Sequence, residues 1–188
     1  MTKFRSIFWH RRDLRIEDNI GLYEASKNSK YLIGLYILDP NLLDLNRNTS
    51  EAKNWFLGQS LLELQQNWER RGSSLLILRG DPIELVSQLA ELIKADCIYW
   101  NKNIEPYEIN RDKQIIDKLK KEKRKVYTFL DQLIVNPSFI KTNNNEPYKV
   151  YGPFYRKWID IINKSNISNN FLLRISRTPE QIRGFNER

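Results

Sequence analysis

The chain has 188 residues, 40% hydrophobic and 29% charged, with a formal net charge of +8. This is the composition of an ordinary globular domain, and no apolar run is long enough to span a bilayer. One cysteine (Cys97) and one histidine (His10) exclude an internal disulfide and provide no cluster of zinc ligands.

The first residues, Met1-Thr2-Lys3-Phe4-Arg5-Ser6, lack the apolar stretch of a signal peptide, so the expected setting is reducing and cytoplasmic. The charge is uneven. Residues 1–100 carry 13 basic and 13 acidic side chains, whereas 101–188 carry 18 and 10. A basic half can mark a nucleic-acid partner, but the run from Lys118 to Lys125 also fits the solvated end of a helix.

Ile7-Phe8-Trp9 reads as a buried first strand, followed by the charged segment His10-Arg11-Arg12-Asp13-Leu14-Arg15. Asp18 or Asn19 can cap a helix from Ile20. Tyr31 to Leu38 is apolar at both parities, as a central parallel strand should be, and Asp39-Pro40 ends it. Ser50 caps a long helix in which Trp55, Leu57, Leu61, Leu62, Leu64 and Trp68 recur at helical spacing, and Gly72 stops it. Leu75 to Leu78 forms a third strand, and Asp81-Pro82 opens a helix carrying Leu85, Leu89, Leu92 and Ile93. Cys97 to Trp100, a helix over about 107–122 and Val126 to Leu130 complete the alternation. Tyr151-Gly152-Pro153-Phe154 then opens a short helix with Trp158, Ile159 and Ile162 on its apolar side.

Five strands alternating with helices predict an α/β fold, a Rossmann-like doubly wound sheet of five parallel strands with helices on both faces. The domain covers 1–163, and the polar, then basic, residues 164–188 read as a linker. Ligands of such folds sit outside the carboxyl ends of the strands, at the switch in strand order. Here those ends are His10 to Arg12, Leu38-Asp39 and Asn101 to Glu105. No glycine-rich phosphate loop follows the first strand, and no serine–histidine–acid set is available beyond His10. The residues alone point to a charged site at the strand ends for an aromatic ligand.

Five ordered landmarks take the reading further. Phe8-Trp9-His10-Arg11-Arg12-Asp13-Leu14-Arg15 with Asp18-Asn19, Leu35-Tyr36-Ile37-Leu38-Asp39-Pro40, Gly80-Asp81-Pro82, Tyr99-Trp100-Asn101 followed by Glu105-Pro106-Tyr107 and Arg111-Asp112, and Tyr148 to Phe154 with Trp158 all stand in the chain. Together they resemble the N-terminal antenna domain of the DNA photolyase and cryptochrome family, most closely the class I cyclobutane-dimer photolyases of the deazaflavin type. The resemblance implies an antenna pigment, 8-hydroxydeazaflavin first and methenyltetrahydrofolate as the alternative. It implies FAD and UV-damaged DNA only through a helical catalytic domain that this segment would lack, so the segment alone would collect light and repair nothing. No membrane or metal partner is implied.

On this reading the pigment lies between the ends of the first, second and fourth strands. Trp9, Ile37 and Leu38 supply walls, and Arg11, Arg12, Asp39, Lys53, Asn101, Asn103, Glu105 and Glu108 supply hydrogen bonds, with His10 a further donor. Asp39 and Asn103 fall near the polar edge. Asn103 stands where the family pattern has aspartate and Lys53 where it has arginine, while Glu108 matches a glutamate of the folate type. Structural roles compete with several of these: a satisfied loop side chain for His10, core for Trp9 and Cys97, an Arg12–Asp13 ion pair holding the loop. The aromatic set Tyr151, Phe154, Tyr155 and Trp158 is expected to face the catalytic domain. A cryptochrome photoreceptor domain and a stand-alone nucleotide-binding, flavoprotein-like module are the alternative functions.

Overall fold

The computed structural model describes residues 4–43 and 50–164, together with 179, 182 and 184. The strands are β1 (Phe4–His10), β2 (Ser29–Leu38), β3 (Leu75–Arg79), β4 (Cys97–Asn101) and β5 (Lys125–Phe129). The helices are α1 (Ile20–Asn28), α2 (Glu51–Arg70), α3 (Pro82–Leu92), α4 (Pro106–Lys121) and α5 (Tyr151–Lys164), with one turn of 3₁₀ helix at Pro137–Phe139. The sheet runs β3-β2-β1-β4-β5, and every neighbouring pair is parallel. Strand order therefore reverses between β1 and β4, as a doubly wound sheet requires.

Alternation along the strands divides the core in two. Ile7, Trp9, Leu35, Ile37, Ile98 and Trp100 point to one face, where Val86, Leu89, Ile115 and Leu119 of α3 and α4 cover them. Phe8, Leu32, Cys97 and Tyr99 point to the other, beneath Leu22 and Ala25 of α1 and Leu64 and Trp68 of α2. Burial of the Cys97 thiol pushes its pKa up to about 11, so it is an inert core group. Gly34 permits a close approach in this layer: a Cβ there would stand 2.6 Å from Cε2 of Trp68.

The helix ends follow the expected capping chemistry. Asn19, Ser50 and Asp81 accept from the amides of Leu22, Lys53 and Ile83. Gly72 follows α2 with φ +87°. Two residues of the stretch read as a linker, 164–188, bond to the turn after α2. Ile182 is 2% exposed against the core, and its amide bonds to the carbonyl of Arg71 at 2.8 Å. Gly184 likewise bonds to Gly72 at 3.0 Å. One apolar residue in a basic stretch carries no periodicity, so this return to the α2–β3 turn is not legible in the sequence. Apart from Pro179, Ile182 and Gly184, residues 165–188 lie outside the described residues.

Candidate functional site

The carboxyl ends of β1, β2 and β4 converge as expected, but the point of convergence is packed with the protein's own ion pairs. Arg11 is buried and donates through Nη1 to both oxygens of Asp112, at 2.7 and 2.6 Å, and through Nη2 to the carbonyl of Asn101. Arg111 donates to Asp112 and to Asp39, each at 3.3 Å. The hydroxyl of Tyr107 donates to Asp39 at 2.8 Å and accepts from Nδ2 of Asn41 at 3.0 Å. Both guanidinium groups lie over the Trp9 ring, at 5.2 and 4.8 Å from its centroid, and Trp9 packs edge-on to Trp100. The network Arg11–Asp112–Arg111–Asp39 thus ties the ends of β1 and β2 to the first turns of α4. Burial lowers the pKa of Arg11, and the neighbouring Asp112 carboxylate opposes the shift.

A second set fixes the loop after β1. Asp13 accepts from the amide of Arg11, from Nδ2 of Asn19 and from Nδ2 of Asn101 at 2.9, 3.1 and 2.7 Å. His10 is fully buried; Trp68 Nε1 donates to its Nε2 at 3.0 Å, so Nδ1 carries the proton and donates to the carbonyl of Asp13 at 2.9 Å. Burial holds its pKa below the usual histidine value. Both ring nitrogens are thus committed to the fold. Asp13 does not pair with Arg12, because its oxygens face inward to amide donors.

Arg12 turns outward instead and pairs with Glu105 and Glu108. Glu108 is buried; it accepts from Asn103 Nδ2 at 2.5 Å, and Asn103 Oδ1 accepts from Gln132 at 3.0 Å. Burial and the neighbouring Glu105 raise the pKa of Glu108, and the hydrogen bond between the two carboxyls lowers that of Glu105. These four predicted residues do meet, and they bond mainly to one another.

Open space lies to either side of this packed centre. Leu38, Leu43, Asn54, Leu57, Gly58, Leu61 and Arg79 line an almost wholly apolar groove of about 300 Å³ where α2 crosses the ends of β2 and β3. Gly58 faces it with nothing within 4 Å of a would-be Cβ. Lys53 sits exposed in the first turn of α2, beside Asn54. A second groove of about 360 Å³ runs between α4 and β5, with Trp100, Asn103, Ile109 and Asp112 among its walls and Lys102, Lys113 and Lys120 at its rim.

The predicted residues are therefore divided. Leu38 lines the first groove, with Asp39 following it in the chain; Asn103 lines the second. Trp9, Arg11 and Asn101 build the packed centre, His10 lies on the opposite face of the sheet, and Ile37 is core. Sequence reasoning missed Tyr107, Arg111 and Asp112 as site builders, and Leu57, Gly58, Leu61 and Arg79 as groove walls. The signals were the polar i, i+4 pairs 107/111 and 108/112 on α4 and the apolar pair 57/61 on α2.

A family model described as DNA photolyase matches residues 6–169. The deoxyribodipyrimidine photo-lyase of Synechococcus sp. is 45% identical over 152 residues, which are 81% of this chain and 31% of that protein. A bacterial class III photolyase structure from Agrobacterium tumefaciens superposes with a TM-score of 0.72 at 30% identity, over 83% of this chain and 32% of that one. An archaeal photolyase from Sulfolobus tokodaii, described with two FAD molecules and a novel light-harvesting cofactor, superposes with a TM-score of 0.68 at 33% identity, over 73% and 32%. The chain spans about a third of the length of each of these relatives. With the family model covering most of its length and its fold superposing on solved members, the chain belongs to the DNA photolyase family, as its N-terminal α/β domain.

Proposed function

We propose that this domain holds a planar light-harvesting pigment in the groove between α2 and the carboxyl ends of β2 and β3, and serves as the antenna of a deoxyribodipyrimidine photolyase. The carrying observation is that groove: about 300 Å³, apolar, with open space at Gly58 and, among the described residues, Asn54 and Arg79 as its polar lining. A flat aromatic ring needs apolar walls and a few fixed polar groups. Leu38, Leu43, Leu57 and Leu61 provide the walls. Asp39, locked by Tyr107 and Arg111, provides a preorganised acceptor at the edge. Arg79 and Lys53 can meet a pigment's anionic oxygens. When bound, the pigment absorbs light and passes its excitation to a flavin; the chain's residues orient it and exclude water.

The groove favours 8-hydroxydeazaflavin over methenyltetrahydrofolate. Glu108, the residue that suggests folate, is buried and engaged by Asn103 and Arg12. Flavin binding and repair of UV-damaged DNA then fall to a further portion of the kind the relatives possess.

The test is titration of each pigment into purified residues 1–188, read by pigment fluorescence. The deazaflavin should bind, and Asp39→Asn should weaken it by about 1–3 kcal/mol, the value of one buried charged hydrogen bond. Binding of neither pigment, or equal affinity in the variant, contradicts the site.

A further inference from the structure

Alternation along the sheet places a row of aromatic side chains beneath α1. Tyr99 of β4 and Tyr127 of β5 are register partners in neighbouring parallel strands, and Phe129 follows Tyr127 at the same parity. The two tyrosine rings stack with centroids 4.9 Å apart and planes 20° apart. Together with Phe4 of β1, and with Glu24 and Asn28 one helical turn apart on α1, these rings line a cavity of about 310 Å³. Tyr99 is 2% exposed and Tyr127 39%, so the aromatic wall runs from the core out to the surface. A cavity of this size takes a small molecule. Its charged lining group is an acid. Glu24 is half-buried, and among the described residues its carboxylate makes no ion pair and accepts no hydrogen bond. Its charge nevertheless reaches the rings: burial raises the pKa of Tyr99, and Glu24 adds to the rise after Cys97 and Tyr127.

We propose that the cavity between α1 and β5 binds a small alkylammonium ion, its methyl groups against the Tyr127 and Phe129 rings and its charge paired with Glu24. Aromatic faces and an unpaired carboxylate attract the same ligand, a cation with an apolar skin. The protein holds an internal example, since the Lys125 ammonium lies 4.4 Å from the centroid of the Phe4 ring. Asn28 donates through Nδ2 to the carbonyl of Glu24 at 2.8 Å, and its Oδ1 is a further acceptor for a hydroxyl on the ligand. An anion meets repulsion from Glu24, and a neutral ring leaves the carboxylate unpaired. The cavity lies at the β5 edge of the sheet and the pigment groove at the β3 edge, so this proposal stands or falls apart from the antenna reading.

The experiment titrates purified residues 1–188 with choline and follows the choline methyl resonance by NMR. Aromatic rings facing a bound methyl group shift its resonance upfield, so the signal reports enclosure by the cavity and not attraction to the surface. Choline should bind in the millimolar range with that upfield shift. Its neutral carbon isostere, with a tert-butyl group in place of the trimethylammonium group, should bind at least about tenfold more weakly, although it is the more apolar molecule. Glu24→Gln keeps the shape of the side chain and removes its charge; it and Tyr127→Leu should each weaken choline at least about fivefold. Glu91→Gln removes an exposed acid of α3 away from the cavity and should leave binding unchanged. Equal binding of the isostere, or full choline affinity in Glu24→Gln, overturns the proposal. So does the absence of an upfield shift in excess choline, or a loss in Glu91→Gln as large as that in Glu24→Gln.

Discussion

His10 shows how a residue that looks functional in sequence can be structural in space. Its buried ring accepts from Trp68 and donates to the carbonyl of Asp13, a combination that only the neutral form can make. Because the folded-state pKa is depressed, the unfolded chain binds the extra proton more readily. Stability from this group is therefore present above the ordinary histidine pKa of about 6.5 and lost as pH falls below it, by up to about 1.4 kcal/mol per pH unit. Urea unfolding at pH 7.5 and 5.5 should show that loss, and His10→Gln should reduce it. An unchanged pH slope in the variant would assign the loss to other groups. Asp112 is a second case. It answers both Arg11 and Arg111, so Asp112→Ala leaves two buried cations short of a partner. We expect a cost of about 3–5 kcal/mol in chemical denaturation. A cost below about 1 kcal/mol would show that water reaches the network.

At the scale of elements, all five strands and five helices were legible from periodicity and punctuation. Both parities of β2 are apolar because the strand is covered on both faces, and Ser50, Asp81-Pro82 and Gly72 mark helix ends that the backbone confirms. What sequence does not encode locally is how closely elements approach. Gly34 in β2 is where the Trp68 indole rests on the sheet. Gly34→Ala should therefore destabilise the domain by about 1–3 kcal/mol through overpacking, as measured by thermal unfolding. Neutral behaviour would mean that α2 can lift from the sheet without loss. Ile182 is a similar case, since its burial depends on where the chain returns and not on its neighbours in sequence.

Across the whole molecule, the site was legible as a place but not as an arrangement. The strand ends were identified from topology, and Leu38 lines open space there, while Asp39, next to it in the chain, is buried and bonded to Tyr107 and Arg111. Arg11, Asn101 and Glu108 carry charge or amides in the right segments, yet they bond to other protein groups: Arg11 to the Asn101 carbonyl, the Asn101 amide to Asp13, and Glu108 to Asn103. Buried polar groups take the nearest partner the fold supplies. The apolar groove could not be read from the sequence, since it is the gap between α2 and two strand ends distant in the chain. That gap also offers the most direct test of the antenna assignment. Gly58→Leu places a side chain in open space on an exposed turn of α2, so folding should be unharmed or improved by about 0.5–1 kcal/mol. The same side chain fills the groove. Fluorescence titration of 8-hydroxydeazaflavin into wild-type and Gly58→Leu protein should show binding in the first and at least about tenfold weaker binding in the second, a difference of 1.4 kcal/mol or more. Equal affinity in the two proteins would contradict the account.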